Sequence, residues 1–198
     1  LLDLHQQQNS PFLRIYKWKS TGLTQSEKRP FPVTLSKIDH ASRITGGGLV
    51  FHCPEDIVFS QGAPINHPAF PKKLKDRCQW FANTIQQWLL KANIQTSFQT
   101  EKATDTQNIH FCTSYHNPYE LLFNNSKIMG LAVKKTRDWI FFQGIINCKP
   151  SYPYFSTIEK KYHRFFSKGI PQSTISLFET IIPHIKSELK KPLQTNSK

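Results

Sequence analysis

Residues 43–52 read Arg43-Ile44-Thr45-Gly46-Gly47-Gly48-Leu49-Val50-Phe51-His52, three consecutive glycines between an arginine and a histidine. Such a run adds to the conformational entropy that folding must remove, so it suits a place where the main chain turns tightly or approaches another group. Bare N–H groups in a glycine loop can face anionic or carbonyl oxygens. An arginine beside them adds a fixed charge suited to carboxylate or phosphate. The apolar run that follows reads as a strand, Leu49–His52, and a second run, Ile57–Ser60, lies beyond Cys53-Pro54-Glu55-Asp56. The turn chemistry of that tetrapeptide predicts a hairpin. Two structural readings stand beside ligand binding: a plain tight turn for the glycines, and a satisfied core histidine for His52.

Working outward, residues 12–18 (FLRIYKW) are aromatic and branched and read as a strand, while the polar, proline-containing stretch 19–42 reads as a loop. From 71 to 92 the period changes. Leu74, Cys78, Phe81, Ile85, Trp88, Leu89 and Ala92 recur at steps of three and four, the stripe of a helix packed on a core. Pro71 precedes it and Asn93 suits its end. Residues 109–147 return to β character: Tyr119–Phe123 and Lys127–Lys134 flank Asn124-Asn125-Ser126 as a hairpin, and Thr136-Arg137-Asp138 turns into a strand over Trp139–Asn147. Helical patterns at 157–166 and 173–189 close the chain, with Pro183 expected to break or kink the second. Strands, a helix, strands and helices in that order describe an α+β domain with one main sheet.

A second unusual stretch is Lys127-Ile128-Met129-Gly130-Leu131-Ala132. Gly130 and Ala132 leave room on one face of a strand for a flat or chain-like ligand. In a regular strand Lys127 and Gly130, three apart, project to opposite faces. The plain alternative is an edge lysine whose stem lies on apolar surface.

Composition sets the frame. A length of 198 residues suits one domain over 1–198. A hydrophobic content of 38% with 13% aromatic residues excludes a disordered chain, and the apolar runs are too short for a membrane-spanning helix. With 26 Lys and Arg against 13 Asp and Glu, the net charge is +13, which calls for an acidic partner. Lys72, Lys73, Lys75 and Arg77 form one basic cluster, Lys134, Lys135 and Arg137 another, Lys160, Lys161 and Arg164 a third. No zinc finger or RNA-binding signature accompanies them, which counts against nucleic acid. A non-catalytic basic module for nucleic acid or an acidic protein remains the reading from another class. Cys53, Cys78, Cys112 and Cys148 show neither paired spacing nor zinc-ligand spacing, so free thiols, a reducing cytoplasmic setting and no metal are expected. The missing initiator Met is read as processing or trimming of the N-terminus.

Together, RITGGGLVFH (43–52), KIMGLA (127–132) and FFQGIIN (141–147) resemble, in order and separation, the biotin/lipoate ligase and octanoyltransferase family. The resemblance covers about residues 12–150. It implies a mixed, mainly antiparallel sheet flanked by helices, like class II aminoacyl-tRNA synthetases and biotin ligases. It also implies acylation of the lysine of lipoyl domains. The run CTSYHNPYELLFNNSK from Cys112 to Lys127 is similar to the cysteine-dependent octanoyltransferase branch. That similarity makes Cys112 the acyl-accepting nucleophile, with Lys127 lowering its pKa and holding the acyl carbonyl. Arg43, Thr45, Gly46, Gly47, Gly48, His52, Gly130, Ala132, Gln143 and Gly144 then form the substrate site, with Phe141 or Phe142 lining an apolar slot for the acyl chain. Implied partners are an octanoyl or lipoyl donor such as acyl carrier protein, and acidic lipoyl domains of 2-oxoacid dehydrogenase complexes or the glycine cleavage H protein. No tightly bound cofactor is implied. The alternative within the family is an ATP-dependent lipoate ligase working through an adenylate, with ATP and Mg and with Cys112 incidental. Ser42 stands where the family often has a second arginine, and Leu131 and Val133 where it has Ser and Gln, which predicts fewer polar contacts at the reacting centre.

Overall fold

A computed structural model describes residues 10–100, 117–157, 168–170, 179–180 and 183. The helix stripe read from sequence forms α1, Leu74–Lys91. Its buried residues Cys78, Phe81, Ile85, Trp88 and Leu89 lie on one face of the main sheet. Asn93 ends the helix in the left-handed conformation (φ 60°), and the Ile94 N–H reaches back to the Leu89 carbonyl, closing a Schellman motif. Ile94 and Leu89 are both fully buried, which adds the apolar contact that such a cap favours.

The main sheet has six strands, all neighbours antiparallel: β1 (Phe12–Tyr16), β5 (Ile57–Pro64), β9 (Trp139–Ile146), β8 (Ser126–Lys135), β7 (Leu121–Phe123) and β6 (Ser97–Phe98), in that spatial order. The β7–β8 hairpin expected at Asn124 is present. Asn124 (φ 47°) and Asn125 (φ 58°) are both left-handed, the requirement of a two-residue type I′ turn, and Phe123 pairs with Ser126 across it.

A second, smaller sheet accompanies the main one and was not read from the sequence. It contains β2 (Gly22–Ser26), β3 (His40–Arg43) and β4 (Val50–His52) in the order β3-β2-β4, with β2 parallel to β3 and antiparallel to β4. Two of its strands lie inside the stretch read as a loop. GLTQS and HASR carry few branched or aromatic residues, so the strands are set by tertiary packing rather than by propensity. Leu23, Leu35, Leu49, Phe51, Cys53 and Phe155 give this sheet its own core.

The expected hairpin between β4 and β5 is also corrected, because the two strands belong to different sheets. Cys53–Asp56 does turn, with the Asp56 N–H bonded to the Cys53 carbonyl. The reason it carries the chain across is Asp56 itself. Its carboxylate is fully buried and accepts from the Cys53 N–H (2.9 Å), the Asn147 amide (3.2 Å) and the Cys148 N–H (3.0 Å). The turn is thereby fastened to the end of β9. Towards the other end of β8, opposite Phe141 of β9, an exposed ion pair, Lys134 to Glu27 at 3.0 Å, also joins the two sheets.

Arg77 leaves the basic cluster assigned to it. It is fully buried and donates to the carbonyls of Pro71, Pro64 and Ile65, clamping the β5–α1 connection. Of the two closing helical patterns, Glu179, Thr180 and Pro183 are described, and are helical. Residues 158–166, 173–178, 181–182 and 184–189 of those patterns lie outside the described residues. A one-turn helix, α2 (Tyr152–Phe155), follows β9. Among the described residues no helix is long and apolar enough to cross a membrane.

Candidate functional site

One face of the main sheet is covered by α1 and holds Ile57, Phe59, Met129, Phe142 and Ile146. Side chains alternate along a strand, so Val58, Gln143 and Ile145 face the other way. There, between the main sheet and the small one, lies a cleft of about 720 Å³ including its open mouth. Most of its wall is apolar, and its polar groups arrive from both sheets.

Arg43, at the end of β3, is 8% exposed and lines the cleft. Its Nη1 donates to Thr24 Oγ1 (3.2 Å), and its Nη2 donates to the carbonyls of Gly46 (3.2 Å) and Gly48. Gly47 takes φ 100°, a conformation that favours glycine, and this lets the loop fold back over the guanidinium. The triglycine run therefore wraps the arginine. Gly46, Gly47 and Gly48 are not among the residues lining the cleft, so they do not floor it. Thr45 is fully buried and donates from Oγ1 to Gln143 Oε1 (2.8 Å), tying the loop to β9.

His52 ends β4 inside the cleft, 4% exposed, with Nε2 2.9 Å from Thr24 Oγ1. Burial and the adjacent Arg43 charge push its pKa down to about 3, so the ring is neutral. It is neither an isolated core histidine nor a cation.

Lys127 faces Glu120 at 2.6 Å, with Glu120 2% and Lys127 12% exposed. Burial raises the Glu120 pKa, and Lys127 and the Asn117 N–H oppose that rise. Lys127 and Gly130 do not diverge. The β7–β8 register shifts between Leu121 and Leu122, with Leu122 opposite Lys127 and Leu121 opposite Met129, so Ile128 is an extra residue. The shift resets the alternation. A Cβ on Gly130 would lie 3.6 Å from Lys127 Cε, and both residues line the cleft with Ala132.

The structure thus brings together Arg43, His52, Lys127, Gly130, Ala132, Gln143 and Gly144. Gly144 lacks a side chain for a packing reason: its Cβ would meet the Phe59 ring at 2.1 Å on the helix side. Neither phenylalanine lines the cleft. Phe142 stacks on Phe81 in the main core (5.0 Å), and Phe141 stacks on Trp139 (5.8 Å). Leu131 belongs to the main core and also lines the cleft, and Val133 packs against that core, so both positions are apolar as the sequence implies. Cys112 lies outside the described residues. Among the described residues no group of three or more His, Cys, Asp or Glu side chains could hold a metal ion. Sequence reading missed Thr24, Glu120 and Asn147. Thr24 sat in a stretch without strand signals, and Glu120 stood in the Tyr-Glu-Leu run without a visible partner.

Comparison with known proteins bears on the fold and the family. The chain is 26% identical over 144 residues to the octanoyltransferase LipM of Clostridioides difficile (strain 630), covering 68% of this chain and 52% of that protein. It therefore spans about half the length of that relative. Its fold matches a lipoate-protein ligase A bound with ATP (TM-score 0.63, 14% identity, 91% of this chain and 73% of that one). It also matches the bi-partite lipoate protein ligase of Thermoplasma acidophilum, solved with its E2 lipoyl domain (TM-score 0.60, 13% identity, 94% and 74%). The family described as the lipoyl protein ligase A/B catalytic domain matches residues 1–195, and the chain belongs to that family.

Proposed function

We propose that this chain acylates the lysine of lipoyl domains by cysteine-dependent transfer of an octanoyl or lipoyl group from an acyl thioester. The observation that carries the reading is the meeting of Arg43 and His52 from the small sheet with Lys127, Gly130 and Ala132 from the main sheet on one largely apolar cleft. Gly130 and Ala132 put little side chain into it, which suits a run of methylenes along β8.

Cys112 is the nucleophile on the strength of the family resemblance. Four residues of chain separate it from Asn117, a tether of at most about 18 Å. The Asn117 N–H donates to the carboxylate that holds Lys127. In the first step the Cys112 sulfur attacks the thioester carbonyl, the donor's C–S bond breaks, and the carrier thiol leaves with the proton from Cys112. In the second the lipoyl-domain amine attacks, an amide C–N bond forms, and the Cys112 thiol is regenerated. Lys127 stabilises the negative charge that develops on the carbonyl oxygen in both steps. Glu120 fixes where its ammonium sits.

Acyl carrier protein as donor, and lipoyl domains of 2-oxoacid dehydrogenase complexes or the glycine cleavage H protein as acceptors, are acidic and suit a chain of net charge +13. An ATP-dependent ligase would turn Arg43 and the triglycine loop towards phosphate oxygens. Arg43 donates here to Thr24, Gly46 and Gly48; the thioester route is preferred on the similarity of the Cys112–Lys127 run to the cysteine-dependent branch. Incubation with octanoyl-acyl carrier protein is expected to add one octanoyl mass to the protein and none to Cys112→Ser. Full activity of Cys112→Ser with ATP and free lipoate would replace the transferase by the ligase.

A further inference from the structure

Two buried carboxylates each hold one polar side chain of the cleft. Glu120 holds Lys127 at 2.6 Å. Asp56 holds Asn147, whose amide Nδ2 donates to Asp56 Oδ2 at 3.2 Å. Asn147 is 7% exposed and, like Lys127, lines the cleft.

The bulge on β8 makes Lys127 and Asn147 neighbours. β8 and β9 pair as far as Met129 opposite Ile146, and one step further the Asn147 N–H donates to the Ile128 carbonyl at 2.7 Å. Strict alternation would put the Ile128 side chain beside Asn147 on the cleft face. The extra residue prevents this. Ile128 and Met129 both belong to the main core, and Lys127 takes the cleft face beside Asn147 instead.

Asp56 decides which end of the amide meets the cleft. An ionised carboxylate only accepts, so the amide atom facing it is Nδ2 and not Oδ1. No described residue donates to Oδ1. Asn147 therefore presents an acceptor where Lys127 presents donors. The reacting atoms of a thioester, a carbonyl oxygen and a sulfur, have no hydrogen to give, so they satisfy Lys127 and leave Asn147 without a partner. The reactant that brings an N–H to this place is the amine of the lipoyl-domain lysine.

We propose that Asn147 Oδ1 receives an N–H of the attacking lysine amine and so turns the amine's lone pair to the acyl carbonyl polarised by Lys127. The assignment rests on the reading of the chain as a transferase working through acyl-Cys112. As the C–N bond forms and the C–S bond breaks, the nitrogen gains positive charge and its hydrogen bond to Oδ1 strengthens. The contact is then stronger in the transition state than in the ground state, which is the condition for it to raise the rate. The proton released by the nitrogen ends on the Cys112 sulfur. Asn147 orients the amine and takes no proton.

The test separates the two half-reactions at about pH 8.5, above the Asp56 pKa of about 7, so that the carboxylate is ionised. Octanoyl-acyl carrier protein loads Cys112, the carrier is removed, and a lipoyl domain is added for a single turnover followed by mass. Asn147→Ala is expected to slow transfer to the lipoyl domain about tenfold, while loading slows by no more than about twofold. Asn147→Ser, whose hydroxyl still donates to Asp56 but ends short of the amine, should behave alike and supplies the comparison if the alanine variant does not fold. Transfer at the wild-type rate overturns the assignment. So does loading that slows as much as transfer, which would give the contact to an amide N–H of the carrier's prosthetic arm or make Asn147 a support of the site alone. If the wild-type protein takes up no octanoyl mass, the acyl-enzyme reading falls, and the role of Asn147 with it.

Discussion

Lys127 Nζ lies 2.6 Å from Glu120 Oε1, and both side chains are largely removed from solvent. Burying a carboxylate without its cation is costly, whereas removing both members of such a pair costs less. Lys127→Met is therefore expected to lower the unfolding free energy by about 3 kcal/mol and to abolish acyl transfer. The double variant Lys127→Met/Glu120→Leu should recover part of that stability and none of the activity. Urea denaturation read beside an acylation assay checks both. Equal stability of the single and double variants would show that the pair is not coupled.

Two buried titrating groups oppose each other in the pH dependence of stability. His52 has a folded pKa of about 3 against 6.5, so its contribution is complete above 6.5 and is lost as pH falls towards 3. Asp56 has a folded pKa of about 7 against 3.8, so its contribution is complete below 3.8 and is lost as pH rises towards 7. Between about pH 4 and 6.5 the two slopes cancel. His52→Gln should uncover a stability that falls with rising pH across that window, by at most about 1.4 kcal/mol per unit. Asp56→Asn should uncover the reverse. Denaturation curves at a series of pH values, taken as differences from the wild type, decide the signs.

The glycines are not equivalent. Gly144→Ala places a methyl against the Phe59 ring and the Gly130 carbonyl, and a loss of about 2 kcal/mol or more is expected. Gly46→Ala meets nothing within 4 Å and should cost less than about 1 kcal/mol. Thermal melts of the two variants give the ordering directly.

Thr45→Val cuts the bond to Gln143 and leaves a half-buried amide oxygen without its donor. A stability loss of about 1–2 kcal/mol is expected, with KM for the acyl donor raised more than kcat is lowered. Steady-state kinetics on octanoyl-acyl carrier protein separate the two. An unchanged KM would mean that the loop keeps its place without this tie.

The helix stripe, the Asn124-Asn125 turn and the motif residues of the cleft were legible because each rests on local chemistry: a period, a backbone conformation, a residue order. The small sheet was not, since Gly22–Ser26 and His40–Arg43 become strands through packing around Leu23 and through pairing with distant chain. The shared face of Lys127 and Gly130 depends on one extra residue at Ile128, which a rule of strict alternation cannot see. Phe142 was placed on the wrong side because hydrophobicity identifies a residue as interior without saying which interior. Glu120 was visible, but its role needed the distance to Lys127.

Two of the attachments between the sheets differ in kind. At one end Asp56 gathers three donors out of contact with water, and at the other Lys134 and Glu27 meet in the open, where such pairs contribute at most about 1 kcal/mol. Thr45 Oγ1 on Gln143 adds a third tie, from the loop after β3 to β9. Of the three, the exposed lysine–glutamate clasp is the one that yields at least cost, so a cargo that needs more room would meet least resistance there.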